Sequence, residues 1–154
     1  MRLSTKGRYA VMAMADLACN DTGRPVALAD IAERQEISLS YLEQLFGKLR
    51  KGGIVRSVRG PGGGYLLARE SGRIMVSDIV QAVDEPITTT RCSVTSPVGC
   101  HHRDGHCLTH DLWEELGRQI YLYLGAISLR DVCDGRVKFG GDPAMEERAA
   151  GPAE

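Results

Sequence analysis

Between Ile54 and Ala68 the chain reads IVRSVRGPGGGYLLA, and this stretch constrains the fold more than any other. Ile54 to Val58 is a β-branched run, Gly60 to Gly64 is a Gly/Pro loop, and Tyr65 to Ala68 supplies a return strand. The segment predicts a hairpin with a slim, flexible tip whose glycines let another backbone come close. Just upstream, LSYLEQLFGKLRKGG predicts a helix with Leu42, Leu45, Phe46 and Leu49 on one face, stopped by Gly52 and Gly53. Ser38 or Ser40 caps its start, and Ser40 with Glu43 has the spacing of a capping box. EIS is a tight turn. Before it, VALADIAERQ predicts a short helix with Leu28, Ile31 and Ala32 inward. From Thr5 to Asn20, Tyr9, Met12, Ala13, Asp16 and Leu17 recur at helical spacing, and NDTGRP ends that run. Helix, short helix, turn, helix, hairpin is the order of a winged helix-turn-helix.

Downstream, MVSDIVQAVDE places Val76, Ile79, Val80 and Val83 at helical spacing, with Ser77 as cap and Pro86 as terminator. Thr109 to Val132 is the longest periodic segment, its stripe running through Leu108, Leu112, Leu116, Ile120, Leu124 and Ile127. A helix of about six turns, amphipathic and outside the compact domain, invites pairing with a second copy of itself. From Gly135 onward the composition is that of a disordered tail. The expected architecture is mostly α with a small β-hairpin. It divides into a winged helix-turn-helix domain over 1–85, a ligand-bearing loop over 86–107, a dimerisation helix over 108–133 and a disordered tail over 134–154.

Charge divides along the same line. Residues 1–70 carry eleven Lys/Arg against seven Asp/Glu, a net of +4, while 71–154 carry eight against thirteen, a net of -5. A basic front half hints at a polyanion partner. No segment approaches the ~18 apolar residues of a membrane span. MRLSTKGRYAVMAMADLACND mimics a secretory signal, but its apolar run is short, Ala-rich and broken by Asp16, so a cytoplasmic protein without membrane attachment is expected. There is no phosphate loop, nucleophile motif or pair of catalytic carboxylates, so no catalytic residues are assigned and an enzyme is not expected.

In a winged helix-turn-helix the second helix of the pair enters the major groove with its first turn facing base edges. Here that turn presents Ser40, Tyr41, Glu43 and Gln44. Gln bonds adenine bidentately, Ser bonds a base or phosphate, and Glu accepts from cytosine N4. Capping the helix and reading cytosine compete for the one carboxylate of Glu43. Lys48, Arg50 and Lys51 suit phosphates, as do Arg2, Lys6 and Arg8. Arg59, beside Gly60 and Pro61 at the hairpin tip, suits a minor groove.

Soft ligands are gathered in one place. Three of five cysteines and all four histidines lie between Cys92 and His110, in 19 residues of 154. The pattern is Cys92-x7-Cys100-x6-Cys107-x2-His110. It has no Cys-x2-4-Cys knuckle of the kind that closes around zinc. Wide gaps let separate thiolates surround a larger object such as an iron–sulfur cluster. Cys107 and His110 are three apart at a helix start and project to one side. An imidazole in place of a fourth thiolate makes ligation proton-sensitive. His101, His102 and His106 are also near, so the fourth ligand stays open among them. Cys19 and Cys133 read as ordinary thiols. A loop of this kind also fits a regulator sensing thiol oxidation, nitric oxide or zinc, or an electron-transfer or cluster-delivery protein.

Taken together, MRLSTKGRYAV, LADIAERQEISLSYLEQLFGKLRKGG, VRGPGGGYLLA, AVDE, RC and CLTHDLW closely resemble the IscR family of iron–sulfur-cluster-sensing transcription regulators, from Met1 to about Val132. The resemblance implies a homodimeric winged-helix regulator, mainly a repressor of cluster-biogenesis genes. It implies a [2Fe-2S] cluster held by Cys92, Cys100, Cys107 and His110 and supplied by the iron–sulfur assembly machinery. It implies double-stranded DNA with two-fold symmetry as the target, and Glu43 as the residue that disfavours a second class of sites until the cluster is bound. The gaps between the cysteines are longer here than in the family's best-known members, which bears on the fourth ligand more than on the three thiolates.

Overall fold

The computed structural model describes residues 5–84 and 108–137. Its elements are α1 (Thr5–Cys19), α2 (Leu28–Gln35), α3 (Leu39–Lys51), β1 (Val55–Val58), β2 (Gly64–Leu67), a short 3-10 turn (Ser71–Arg73), α4 (Val76–Ala82), α5 (His110–Gly125) and α6 (Leu129–Cys133). Mostly helical with one antiparallel hairpin, it is the architecture the sequence predicts. Arg2, Cys92, Cys100, Cys107, Pro86 and the tail beyond 137 lie outside the described residues.

One core joins the elements. Ala10, Ala13, Met14 and Leu17 of α1, Ile31 of α2, Leu42, Leu45, Phe46 and Leu49 of α3, and Ile74, Ile79 and Val83 around α4 are all fully or nearly fully buried. Phe46 lies under the hairpin, edge-on to Tyr65 with ring centroids 4.9 Å apart. The first helix turns slightly from the expected face. Met14 is fully buried while Met12 is exposed, because the buried positions 10, 13, 14 and 17 form the tighter i, i+3, i+4, i+7 stripe.

The hairpin pairs Val55 with Leu67 and Val58 with Gly64. Val26 adds a bridge to Tyr65 through hydrogen bonds of 2.9 and 2.8 Å. Gly64 is required there, since a Cβ would sit 2.3 Å from the Val26 carbonyl oxygen. Gly60 closes the tip at φ +100°, with Gly63 N–H donating to its carbonyl at 2.9 Å.

The cap of α3 falls on one of the two expected serines, and the cap of α4 differs from expectation. Ser38, not Ser40, caps α3, accepting from Tyr41 N–H at 3.3 Å. At α4 the cap is Met75, whose N–H donates to the Asp78 carboxylate at 3.2 Å, and Ser77 is buried inside the first turn.

The long C-terminal helix is two helices. α5 ends at Gly125 after 16 residues, about 24 Å at 1.5 Å per residue. Ile127 and Ser128 then run extended beside the start of α4, with Val76 N–H to Ile127 O and Leu129 N–H to Ile74 O both at 2.9 Å. Ser128 and Asp131 form a reciprocal capping box that restarts the chain as α6. Leu129 drops into the core, fully buried. The stripe breaks where Ile127 and Ser128 pair beside the start of α4 and α6 packs against α1 and the 3-10 turn.

Candidate nucleic-acid interface and metal ligand

α3 turns its apolar side inward and leaves Ser40, Glu43, Gln44, Arg50 and Lys51 exposed. Because Ser38 makes the cap, the Glu43 carboxylate is not spent on capping its own helix and is exposed at the start of the second turn, next to Gln44. Tyr41 is half-buried, its ring edge-on to Tyr9 of α1 at 6.0 Å, so it braces the helix as well as flanking its outer face. Arg59 and Gly60 are exposed at the wing tip. Arg50 makes a long contact of 3.5 Å to the Ser57 hydroxyl, linking helix to wing.

Lys48 is engaged. Its Nζ donates to Asp84 Oδ2 at 2.8 Å, and Lys6 Nζ reaches the Asp84 carbonyl at 3.4 Å. The Lys48 ammonium holds the Asp84 carboxyl below its ordinary value, and Asp84 in turn raises Lys48. Asp84 sits in the left-handed region at φ +54°, ending the turn after α4, and is the last described residue before the cysteine loop. Asp84, the residue just before the cysteine-bearing segment, is therefore held by α3 through its carboxylate and by α1 through its backbone carbonyl. The 36-residue separation of Lys48 and Asp84 leaves no periodic trace in the sequence.

A second polar clamp sets α1 against α2. Asp16 is 7% exposed. It accepts from Arg34 Nη2 at 2.6 Å and Nε at 3.0 Å, from Gln35 at 2.8 Å and, more distantly, from Asn20 at 3.4 Å. Burial pushes this carboxyl up, but Arg34, Gln35 and Asn20 together outweigh it and hold it below the ordinary value.

Of the four expected cluster ligands, only His110 is among the described residues. It opens α5 and is 5% exposed, with Nε2 3.6 Å from Glu114 Oε2 one turn on. That is within ion-pair range but too long for a hydrogen bond. Among the described residues, His110, Asp111 and Glu114 bring three donor atoms within 4.8 Å of one another. A buried imidazole at a helix start, backed by a carboxylate and three residues after Cys107, fits the place of a cluster's nitrogen ligand.

α5 itself buries only His110 and Gly117. Leu112, Trp113, Tyr121, Leu122 and Tyr123 are exposed, with Leu112 at 62% and Leu122 at 50%. No helix among the described residues is long and apolar enough to cross a membrane.

Residues 3–135 match the Rrf2 family model, described as an iron-dependent transcriptional regulator. The chain is 58% identical over 132 residues to the HTH-type transcriptional regulator IscR of Xenorhabdus nematophila, covering 86% of this chain and 79% of that one. Among solved structures, T. potens IscR superposes with a TM-score of 0.69 at 36% identity, covering 100% of this chain and 93% of the other. CymR, the global cysteine regulator of B. subtilis, gives 0.71 at 30% identity, covering 87% and 97%.

Proposed function

The chain belongs to the Rrf2 family of iron-dependent transcriptional regulators, and from that premise we propose that it is a homodimeric, mainly repressing regulator of iron–sulfur biogenesis genes whose operator choice follows [2Fe-2S] occupancy. The observation that carries this reading is the free outer face of α3, with Ser40, Glu43 and Gln44 unspent by the fold and Lys48, Arg50 and Lys51 behind them. The first three read base edges, Arg50 and Lys51 hold phosphates together with Arg2, Lys48 joins them to the extent that Asp84 releases it, and Arg59 with Gly60 follows the adjacent groove.

Cys92, Cys100, Cys107 and His110 would hold the cluster, which supplies, when bound, an occupancy signal that responds to iron, sulfide and oxidants. The assembly machinery is the natural donor. His110 fixes one ligand to the first turn of α5, and Asp84 fixes the other end of the loop to Lys48. Cluster binding by the cysteines would thereby be felt on both sides of them, by the pairing helix and by the reading helix. A loop state that favours the DNA-competent arrangement by about 1–3 kcal/mol changes operator affinity roughly 5–150-fold. The exposed apolar face of α5 pairs with a second copy, setting two reading heads on half-sites roughly 34–36 Å apart or a multiple of that. The IscR name carried by the Xenorhabdus nematophila relative supports the same assignment.

A zinc-holding or thiol-sensing regulator is the alternative, and His110 with Asp111 and Glu114 is the feature that favours zinc. Operator binding by the wild type and Cys92→Ala, each with iron and sulfide content measured, tests the proposal. Wild type is expected to carry iron and sulfide and to bind the two-fold operators more tightly than the variant, with an affinity that falls steeply with salt. Equal affinities at every site would remove the sensing role. A colourless protein with one zinc would favour the alternative.

A further inference from the structure

The two cysteines outside the loop meet in the fold. Cys19 ends α1 and is exposed, and Cys133 ends α6 and is half-buried. Both line one cleft of about 410 Å³, together with Met12, Ala15 and Val132. The Cys133 thiol donates to the Ala15 carbonyl at 3.6 Å, and Ala15 lies one helical turn before Cys19 on the same side of α1. Burial first, and then the neighbouring Cys19 sulfur, push the Cys133 thiol up to about 12. Cys133 therefore keeps its proton near neutral pH, while Cys19 stands open to solvent beside it.

We propose that Cys19 and Cys133 form a second reactive-thiol site, independent of the cysteine loop, at which a hydroperoxide converts the pair to an intramolecular disulfide. The Cys19 thiol sheds its proton to solvent and its thiolate attacks the peroxide; the O–O bond breaks, a sulfenic acid remains on Cys19, and the departing hydroxide or alkoxide takes a proton back from solvent to leave as water or an alcohol. The Cys133 sulfur then attacks the Cys19 sulfur. The S–S bond forms, the S–O bond breaks, and the departing hydroxide takes the Cys133 proton as water. Two thiols lose two electrons and two protons, and the peroxide gains them. The sulfenic acid forms on exposed Cys19, where a trapping reagent can reach it. The cross-link ties α1 of the reading domain to the segment that follows α5, and reducing thiols reverse it.

The test treats the full-length, reduced protein with hydrogen peroxide and maps tryptic peptides without reductant. The expected product joins peptide 9–34 to peptide 131–136 within one chain, disappears with dithiothreitol, and is absent from Cys19→Ser and from Cys133→Ser. Dimedone added with the peroxide should label Cys19 and suppress the link. A Cys92→Ala/Cys100→Ala/Cys107→Ala variant should give the same link in similar yield. If Cys133→Ser fails to fold, exposed Cys19→Ser carries the control alone. Links confined to Cys92, Cys100 and Cys107, or a Cys19–Cys133 link found only between two chains, would overturn the proposal.

Discussion

α3 and α5 are amphipathic helices of similar length, 13 and 16 residues, and they spend their apolar faces differently. α3 buries Leu42, Leu45, Phe46 and Leu49 inside its own chain, which leaves a polar outer face for a ligand. α5 buries only His110 and Gly117 and leaves Leu112 and Leu122 at least half exposed. The first is finished by the fold of one chain; the second keeps apolar side chains that the described residues do not cover. On the function proposed above, recognition and assembly rest on these different helices.

The sharpest way to separate the two helices is by what a substitution does to a single chain. Phe46→Ala should cost about 3–5 kcal/mol of unfolding free energy in denaturant titrations, since it empties the centre of the core under the hairpin. A loss under 1 kcal/mol would mean that α3 is not the core element described. Next in size is Arg34→Met, expected to cost roughly 1.5–3 kcal/mol by leaving Asp16 without its strongest partner. This clamp has a pH signature. The Asp16 carboxyl is held below its ordinary value, so its contribution is fully present above the unfolded value of about 3.9 and is lost as pH falls through the folded one. The variant should show a flatter acid limb in stability against pH, and an unchanged limb would remove the clamp from the account.

On α5 the expected effect moves from the fold to the assembly. Leu112→Asp should shift single-chain stability by no more than about 0.5 kcal/mol, yet yield a monomer in sedimentation and weaken operator binding at least about tenfold, near 1.4 kcal/mol. A dimer that survives the substitution would place pairing elsewhere. The smallest effect is at the joint. Asp84→Asn releases Lys48 toward phosphate and should tighten operator binding about two- to fivefold at low salt, fading as salt screens it. No change at any salt would uncouple the loop root from the reading helix.

Much of the fold was legible because local rules agreed with tertiary packing. The stripe Leu42, Leu45, Phe46, Leu49 is buried as its spacing predicts, and the glycine-rich turn between β1 and β2 closes where it should. The cap of α3 was harder, because Ser38 and Ser40 are equivalent in sequence until the turn at Glu36, φ +53°, fixes where the helix begins. The break after Gly125 is hidden in the sequence because Leu124 and Ile127 continue the apolar stripe; Ser128 and Asp131 carry the signal as a capping box inside it. Lys48 with Asp84, and Cys19 with Cys133, meet only through the folded chain, so no periodicity announces them. At the candidate interface, Ser40, Glu43, Gln44, Arg50, Lys51 and Arg59 are exposed, and the cysteines expected as cluster ligands lie outside the described residues.

The most direct measurement is a matched pair of operator titrations on one anaerobic preparation, before and after its iron is removed with a chelator, with absorption, iron and sulfide recorded for each sample. The account predicts a coloured protein whose affinity for at least one two-fold operator drops 5–150-fold on stripping and returns on reconstitution. Identical binding curves for the loaded and stripped forms at every operator would contradict it.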